Sequence, residues 1–145
     1  MTGQKILSAQ QRESWAERGF VVLPGFASRD EVEALRRGAA EAVAAHDLDA
    51  IRTVFDVKDQ RHAEDPWFLD SGGAVRPFLE PDCETGPVVN KLGHALHDLL
   101  PAFDRFSRAP RVAALVAELG VRDPLLLQSM VIFKHPRVGG LVNPH

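Results

Sequence analysis

Cysteine is all but missing from this chain. Cys83 is the only one, so no intramolecular disulfide can form; the thiol reads as structural, and a reducing compartment fits. Long apolar runs are missing too: nothing approaches the roughly 18 residues that a spanning helix needs. Met1 to Leu7 carries one lysine and no apolar run of signal-peptide length. A cytoplasmic protein with no membrane partner is therefore expected. Positive charge is sparse. With 17 Lys and Arg against 20 Asp and Glu the formal charge is -3, and the one adjacent basic pair, Arg36 and Arg37, reads as solvated helix face. A nucleic acid or an anionic bilayer would want a clustered positive surface, so neither is expected as a partner. Nor is there a CxxC pair, a glycine-rich phosphate loop or a Ser-His-Asp order, which leaves those enzyme classes without support. No internal repeat, heptad run or low-complexity segment is visible.

What is present suits one globular domain. Hydrophobic residues make up 45% and charged ones 26% of 145 residues. A chain of that size buries roughly 68–70% of its unfolded surface, so folding needs no disulfide or structural metal. Ser8 with Gln11, and Ser28 with Glu31, are capping-box patterns that open helices over residues 8–19 and 28–45, the first ended by Gly19. Val32, Leu35, Ala39 and Val43 form the inward stripe of the second helix. Between them, residues 20–23 predict a strand stopped by Pro24-Gly25. Trp67-Phe68-Leu69 and Val75 to Leu79 are two arms of a hairpin or loop. Leu92, Ala95, Leu96 and Leu99 predict a helix over 88–99 closed by Pro101, and Pro110 opens another over 110–119. Residues 125–134 predict a strand with Leu125, Leu127, Ser129, Val131 and Phe133 on one face. Leu126, Gln128, Met130, Ile132 and Lys134 occupy the other, more polar face.

Candidate chemistry is thin when the residues are taken singly. His94 and His97, at i and i+3, have a spacing that can bring two imidazoles to one metal, but without a third ligand they read as structural histidines. Asp65, Asp70 and Glu80 are acidic residues of a loop-rich stretch, where such residues serve solubility. Lys91 alone reads as a surface lysine, Met130 as core filler and His145 as an exposed terminal residue.

Four segments taken together change that reading: LSAQQRESWAERGFVVLPGF, DPWFLDSGGAVRPFLEP, NKLGHALHDLLPAFDRFSRAPRV and LLLQSMVIFKHPRVGGLVNPH. In this order they resemble the phytanoyl-CoA dioxygenase family, in its phytanoyl-CoA dioxygenase domain-containing branch. The resemblance implies an α+β fold, with helices before and around a double-stranded β-helix, or jelly roll, of which these residues supply the N-terminal part and first strands. It implies an iron, Fe(II), and 2-oxoglutarate-dependent dioxygenase that hydroxylates a small organic molecule with O2, through a facial triad of two histidines and one carboxylate. Position by position, His145 matches the first histidine of the His-x-Asp ligand pair, Lys91 a lysine that contacts 2-oxoglutarate, and Met130 a methionine lining the same pocket. The aspartate, the second histidine and the arginine for the far carboxylate would lie beyond residue 145. The expectation is thus a single domain truncated at its C-terminus and inactive alone, with a missing C-terminal half as partner. The alternative is a non-catalytic binding or regulatory piece that pairs with another chain.

Overall fold

The computed structural model describes residues 5–54, 64–81, 83 and 86–139. Helices α1 (Ala9–Arg18) and α2 (Arg29–Ala44) each begin with a complete capping box. In α1 the Ser8 hydroxyl accepts from the Gln11 N–H while the Gln11 side chain accepts from the Ser8 N–H, so two orphan donors are satisfied reciprocally. Gly19 ends α1 in the left-handed region (φ 76°), its N–H bonded to the Trp15 carbonyl. After a 3-10 turn at Leu48–Ala50 come the single helical turn α3 (Pro66–Leu69) and a second 3-10 turn at Asp70–Gly73. Strands β1 (Val75–Leu79) and β2 (Val89–His94), short helices α4 (Leu96–Leu99) and α5 (Pro101–Ser107), helix α6 (Pro110–Glu118) and strand β3 (Ser129–Ile132) follow.

The three strands form one antiparallel sheet in the order β1-β2-β3. This mixture of helices with an antiparallel sheet is an α+β arrangement. One sheet face packs on helices: Leu92 joins Ala39 and Leu96 in a buried cluster, with Val75, Val131, Val43 and Phe103 against it. Ile51, Leu79 and Val89 form a second cluster beside Trp67 and Phe133. Among the described residues no helix is long and apolar enough to cross a membrane.

Three expected elements differ. Residues 20–23 are not a strand, because no described strand lies beside them to take their backbone bonds; Phe20 and Val22 are exposed, and the Leu23 carbonyl closes a turn onto Phe26. The helix expected over 88–99 is strand β2 followed by the single turn α4. Valines 88 and 89 are stiff at χ1 and favour extended backbone, and β2 is held from both sides by β1 and β3, pairings that a local reading of periodicity does not contain. Of the strand expected over 125–134, only Ser129–Ile132 is a strand. Past His94 and Ala95 the chain turns into α4, so Leu125 to Gln128 have no described strand to pair with, and Leu125 and Leu127 are 81% and 82% exposed. Trp67 to Leu69, expected as a hairpin or loop arm, is instead a helical turn capped by the Asp65 carboxylate, which accepts from the Trp67 N–H at 2.8 Å.

Glutamates fasten the helices. Glu118 of α6 accepts from the N–H groups of Ile6 and Leu7 at 2.7 and 3.0 Å, and Arg111 pairs with Glu31 at 2.5 Å. The backbone donors of Ile6 and Leu7 hold Glu118 below its ordinary 4.5, and the Ser28 N–H, then Arg111, do the same for Glu31. A lowered folded-state value means stability that is complete above the unfolded value and lost as pH falls through the folded one. Glu118→Gln is therefore expected to lower the urea midpoint at neutral pH and to flatten its decline on acidification.

Candidate functional site

The sheet face turned away from α2 carries the candidate site. Register puts Phe78, Lys91 and Ile132 in one row across the three strands, and Arg76, Gly93 and Met130 in the next. Paired residues share a face and rows two apart are diagonal neighbours, so Lys91 and Met130 stand on one surface. Gly93 between them carries no side chain. A Cβ there would lie 3.4 Å from the Met130 Cγ, so the methionine lies directly over the glycine backbone.

Lys91 is only 8% exposed. Burial disfavours its charged form and pulls its pKa from 10.5 down to about 8, although the Glu80 carboxylate acts in the opposite sense. An ammonium so placed is short of water and binds an anion more strongly than a solvated lysine does. Met130 and Ile132, both partly exposed, offer apolar surface beside it.

His94 closes one end. Its ring lies 5.6 Å from Phe68 and 5.5 Å from Phe78, and its Nδ1 is 2.8 Å from the Ser71 Oγ. The Ser71 hydroxyl donates its single proton to the Phe68 carbonyl, so the His94 Nδ1–H donates to Ser71 and Nε2 is left unprotonated. Burial first, and the Lys91 charge second, lower the His94 pKa from 6.5 and keep the ring neutral. His97 does not join it. Its N–H donates to the Ser129 Oγ at 3.0 Å and its Nδ1 lies 2.8 Å from the same oxygen, fastening α4 to β3. The two-histidine metal reading thus fails among the described residues, where no group of three His, Cys, Asp or Glu comes together to hold a metal ion.

Of the residues the resemblance singles out, Lys91 and Met130 share this face, while His145 lies outside the described residues. Glu80, read from sequence as a solubility residue, is 5% exposed. Asp65 is a helix cap that also accepts from the Thr53 hydroxyl at 2.7 Å. Ser71 and Phe78 escaped notice, because their burial depends on β2, a strand that the local pattern disguises as helix. A separate cleft of about 400 Å3 is lined by His46, Ile51, Thr53, Asp65 and Trp67, and contains neither Lys91 nor Met130.

Comparison with known proteins agrees with the segment order. Residues 15–145 match the family described as phytanoyl-CoA dioxygenase (PhyH). The chain is 38% identical to phytanoyl-CoA dioxygenase domain-containing protein 1 of Mus musculus over 96% of its own length and 53% of that protein. It is 34% identical to a phytanoyl-CoA dioxygenase of Arabidopsis thaliana (96% and 52%) and 36% identical to phytanoyl-CoA dioxygenase 1 of Oryza sativa subsp. japonica (96% and 52%). The chain spans about half the length of the curated relatives it matches. By the extent of the family match, this chain belongs to the phytanoyl-CoA dioxygenase family.

Proposed function

We propose that the chain carries the N-terminal part of an Fe(II)- and 2-oxoglutarate-dependent dioxygenase that hydroxylates a small organic molecule with O2, with Lys91 and Met130 in the cosubstrate pocket and His145 as the first iron ligand. In this reading the sheet is the start of a jelly roll, completed by a C-terminal half that also brings the remaining ligands. The observation that carries it is the buried ammonium of Lys91 beside Met130 on one sheet face. A dicarboxylate fits such a place: the ammonium offers a charge and up to three donors to a carboxylate, and the methionine packs against methylenes. Phe78, opposite Lys91 in the register, packs against the His94 ring at 5.5 Å. The described residues make no iron cage, so iron enters through family membership and His145 alone. With iron and the oxo-acid bound, O2 would be the oxidant, one of its oxygen atoms going to the oxo-acid, which leaves as succinate and carbon dioxide, and the other to the C–H bond of the substrate. One cysteine in the sequence agrees with a reducing, cytoplasmic setting.

The second reading, a binding piece that pairs with another chain, is favoured by one observation. Among the described residues β3 lies at the edge of the sheet, with Leu125, Leu126, Leu127 and Ile132 exposed beside it, an arrangement that invites strand pairing. The test is succinate formation by this chain extended with the C-terminal half of a relative. Iron-dependent turnover is expected, with Lys91→Ala raising the KM for 2-oxoglutarate about ten-fold or more. A folded, iron-loaded sample that forms no succinate would refute the enzyme reading.

A further inference from the structure

We propose that His94 is a substrate contact whose unprotonated Nε2 accepts a hydrogen bond from an O–H or N–H group of the molecule to be hydroxylated, so that substrates of this site carry such a donor. The inference deepens the reading of this sheet face as the ligand pocket and rests on it. Neighbouring rings fix the imidazole. It lies 5.5 Å from Phe78, which stands opposite Lys91 in the register, and so belongs to the lysine's face. Phe68 meets it edge-on at 5.6 Å. Room lies beside it. Gly93 brings no side chain, and among the described residues a Cβ there would meet only the Met130 Cγ, at 3.4 Å. Arg76 shares that row, but its guanidinium is turned onto the Trp67 ring at 4.7 Å and donates to the Trp67 carbonyl.

His94 is more than nine-tenths buried, and its two nitrogens are in unlike states. The Nδ1–H is engaged by the buried Ser71 Oγ, whose own proton goes to the Phe68 carbonyl. That bond pins the tautomer, because the partner of one ring nitrogen decides which nitrogen carries the proton. Nε2 has no partner among the described residues. It is not sealed in either, for the enclosed side-chain atoms without a partner there are Glu80 Oε1 and Arg111 Nε. Its lone pair is therefore open to an incoming molecule. A mostly buried acceptor without a donor is costly, and a ligand that brings one recovers the loss. 2-Oxoglutarate cannot be that ligand, since as a dianion it offers Nε2 only acceptors. The lysine suits the oxo-acid, and the imidazole suits a second molecule with a donor.

The test titrates the 145-residue chain with benzyl alcohol and, separately, with benzyl methyl ether, its counterpart without the donor. Long-range proton–nitrogen NMR of the histidine rings reads both nitrogens of His94. At neutral pH the ligand-free chain should show a protonated Nδ1 and an unprotonated Nε2. Benzyl alcohol is expected to move the Nε2 signal, leave Nδ1 in place, and bind roughly two- to ten-fold more tightly than the ether. His94→Phe, which removes the acceptor, and Ser71→Ala, which releases the tautomer, should each bring the two affinities together. A protonated Nε2 in the ligand-free chain, equal binding of alcohol and ether, or binding of neither overturns the proposal. So does conversion of the ring to imidazolium by saturating 2-oxoglutarate, which would make His94 a cosubstrate contact instead. If 2-oxoglutarate leaves Lys91 unperturbed while the alcohol preference holds, the cosubstrate reading falls and the donor-accepting role of His94 stands.

Discussion

Lys91→Met is expected to make the chain more stable by about 1–3 kcal/mol near neutral pH while abolishing 2-oxoglutarate binding. The physical basis is the cost of holding an ammonium away from water. A folded-state pKa of about 8 against 10.5 corresponds to about 3 kcal/mol. The sign follows from proton uptake. Unfolding returns Lys91 to a state that binds its proton more tightly, so wild-type stability rises with pH through the interval from about 8 to 10.5, and the penalty is complete below it. Urea denaturation across that interval should show the rise in wild type and a flat line in Lys91→Met. A destabilised variant with an unchanged pH profile would mean that Lys91 serves the fold rather than a ligand. Stability given up at one buried position is the usual signature of a site kept for binding.

Phe78→Ala is expected to cost about 3–5 kcal/mol, enough to unfold much of a domain whose total stability is typically 5–15 kcal/mol. Phe78 is wholly inaccessible, lies against both Phe68 and His94, and stands opposite Lys91 in the register. Truncation leaves a cavity under the site and lets water reach the imidazole and the ammonium. Phe78→Leu fills most of that space. It should keep the fold, cost about 1–2 kcal/mol, and raise the Lys91 pKa as the lysine becomes better solvated. Thermal denaturation reads the first effect and lysine NMR the second. A Phe78→Ala protein as stable as wild type would show that this face is not packed as described.

Features set by contacts a few residues apart were legible in the sequence. Ser8 with Gln11, Ser28 with Glu31, and the stop at Gly19 are local bonds, and the two helices begin where those bonds form. The alternation of residues 129–133 was legible too, since period two needs no partner to be seen: Val131 and Phe133 pack inward while Met130 and Ile132 face out. Strand β2 was not. Its Leu92 combines with Leu96 and Leu99 of the following helical turn into a spurious helical stripe. Only pairing with β1 and β3, distant in sequence, decides the matter. The same blindness hid much of the site. Lys91 and Met130 stood out by resemblance to a family, whereas Ser71 and Phe78 acquire their roles from the sheet that buries them.

The most direct test of the account is where 2-oxoglutarate contacts the protein. Isotope-filtered nuclear Overhauser measurements on the chain with saturating 13C-labelled 2-oxoglutarate should connect the ligand methylenes to the Met130 methyl group and to the Lys91 side-chain methylenes. Both signals should vanish in Lys91→Met. Contacts to His46, Trp67 and Thr53 in the other cleft, with Met130 and Lys91 silent, would contradict it.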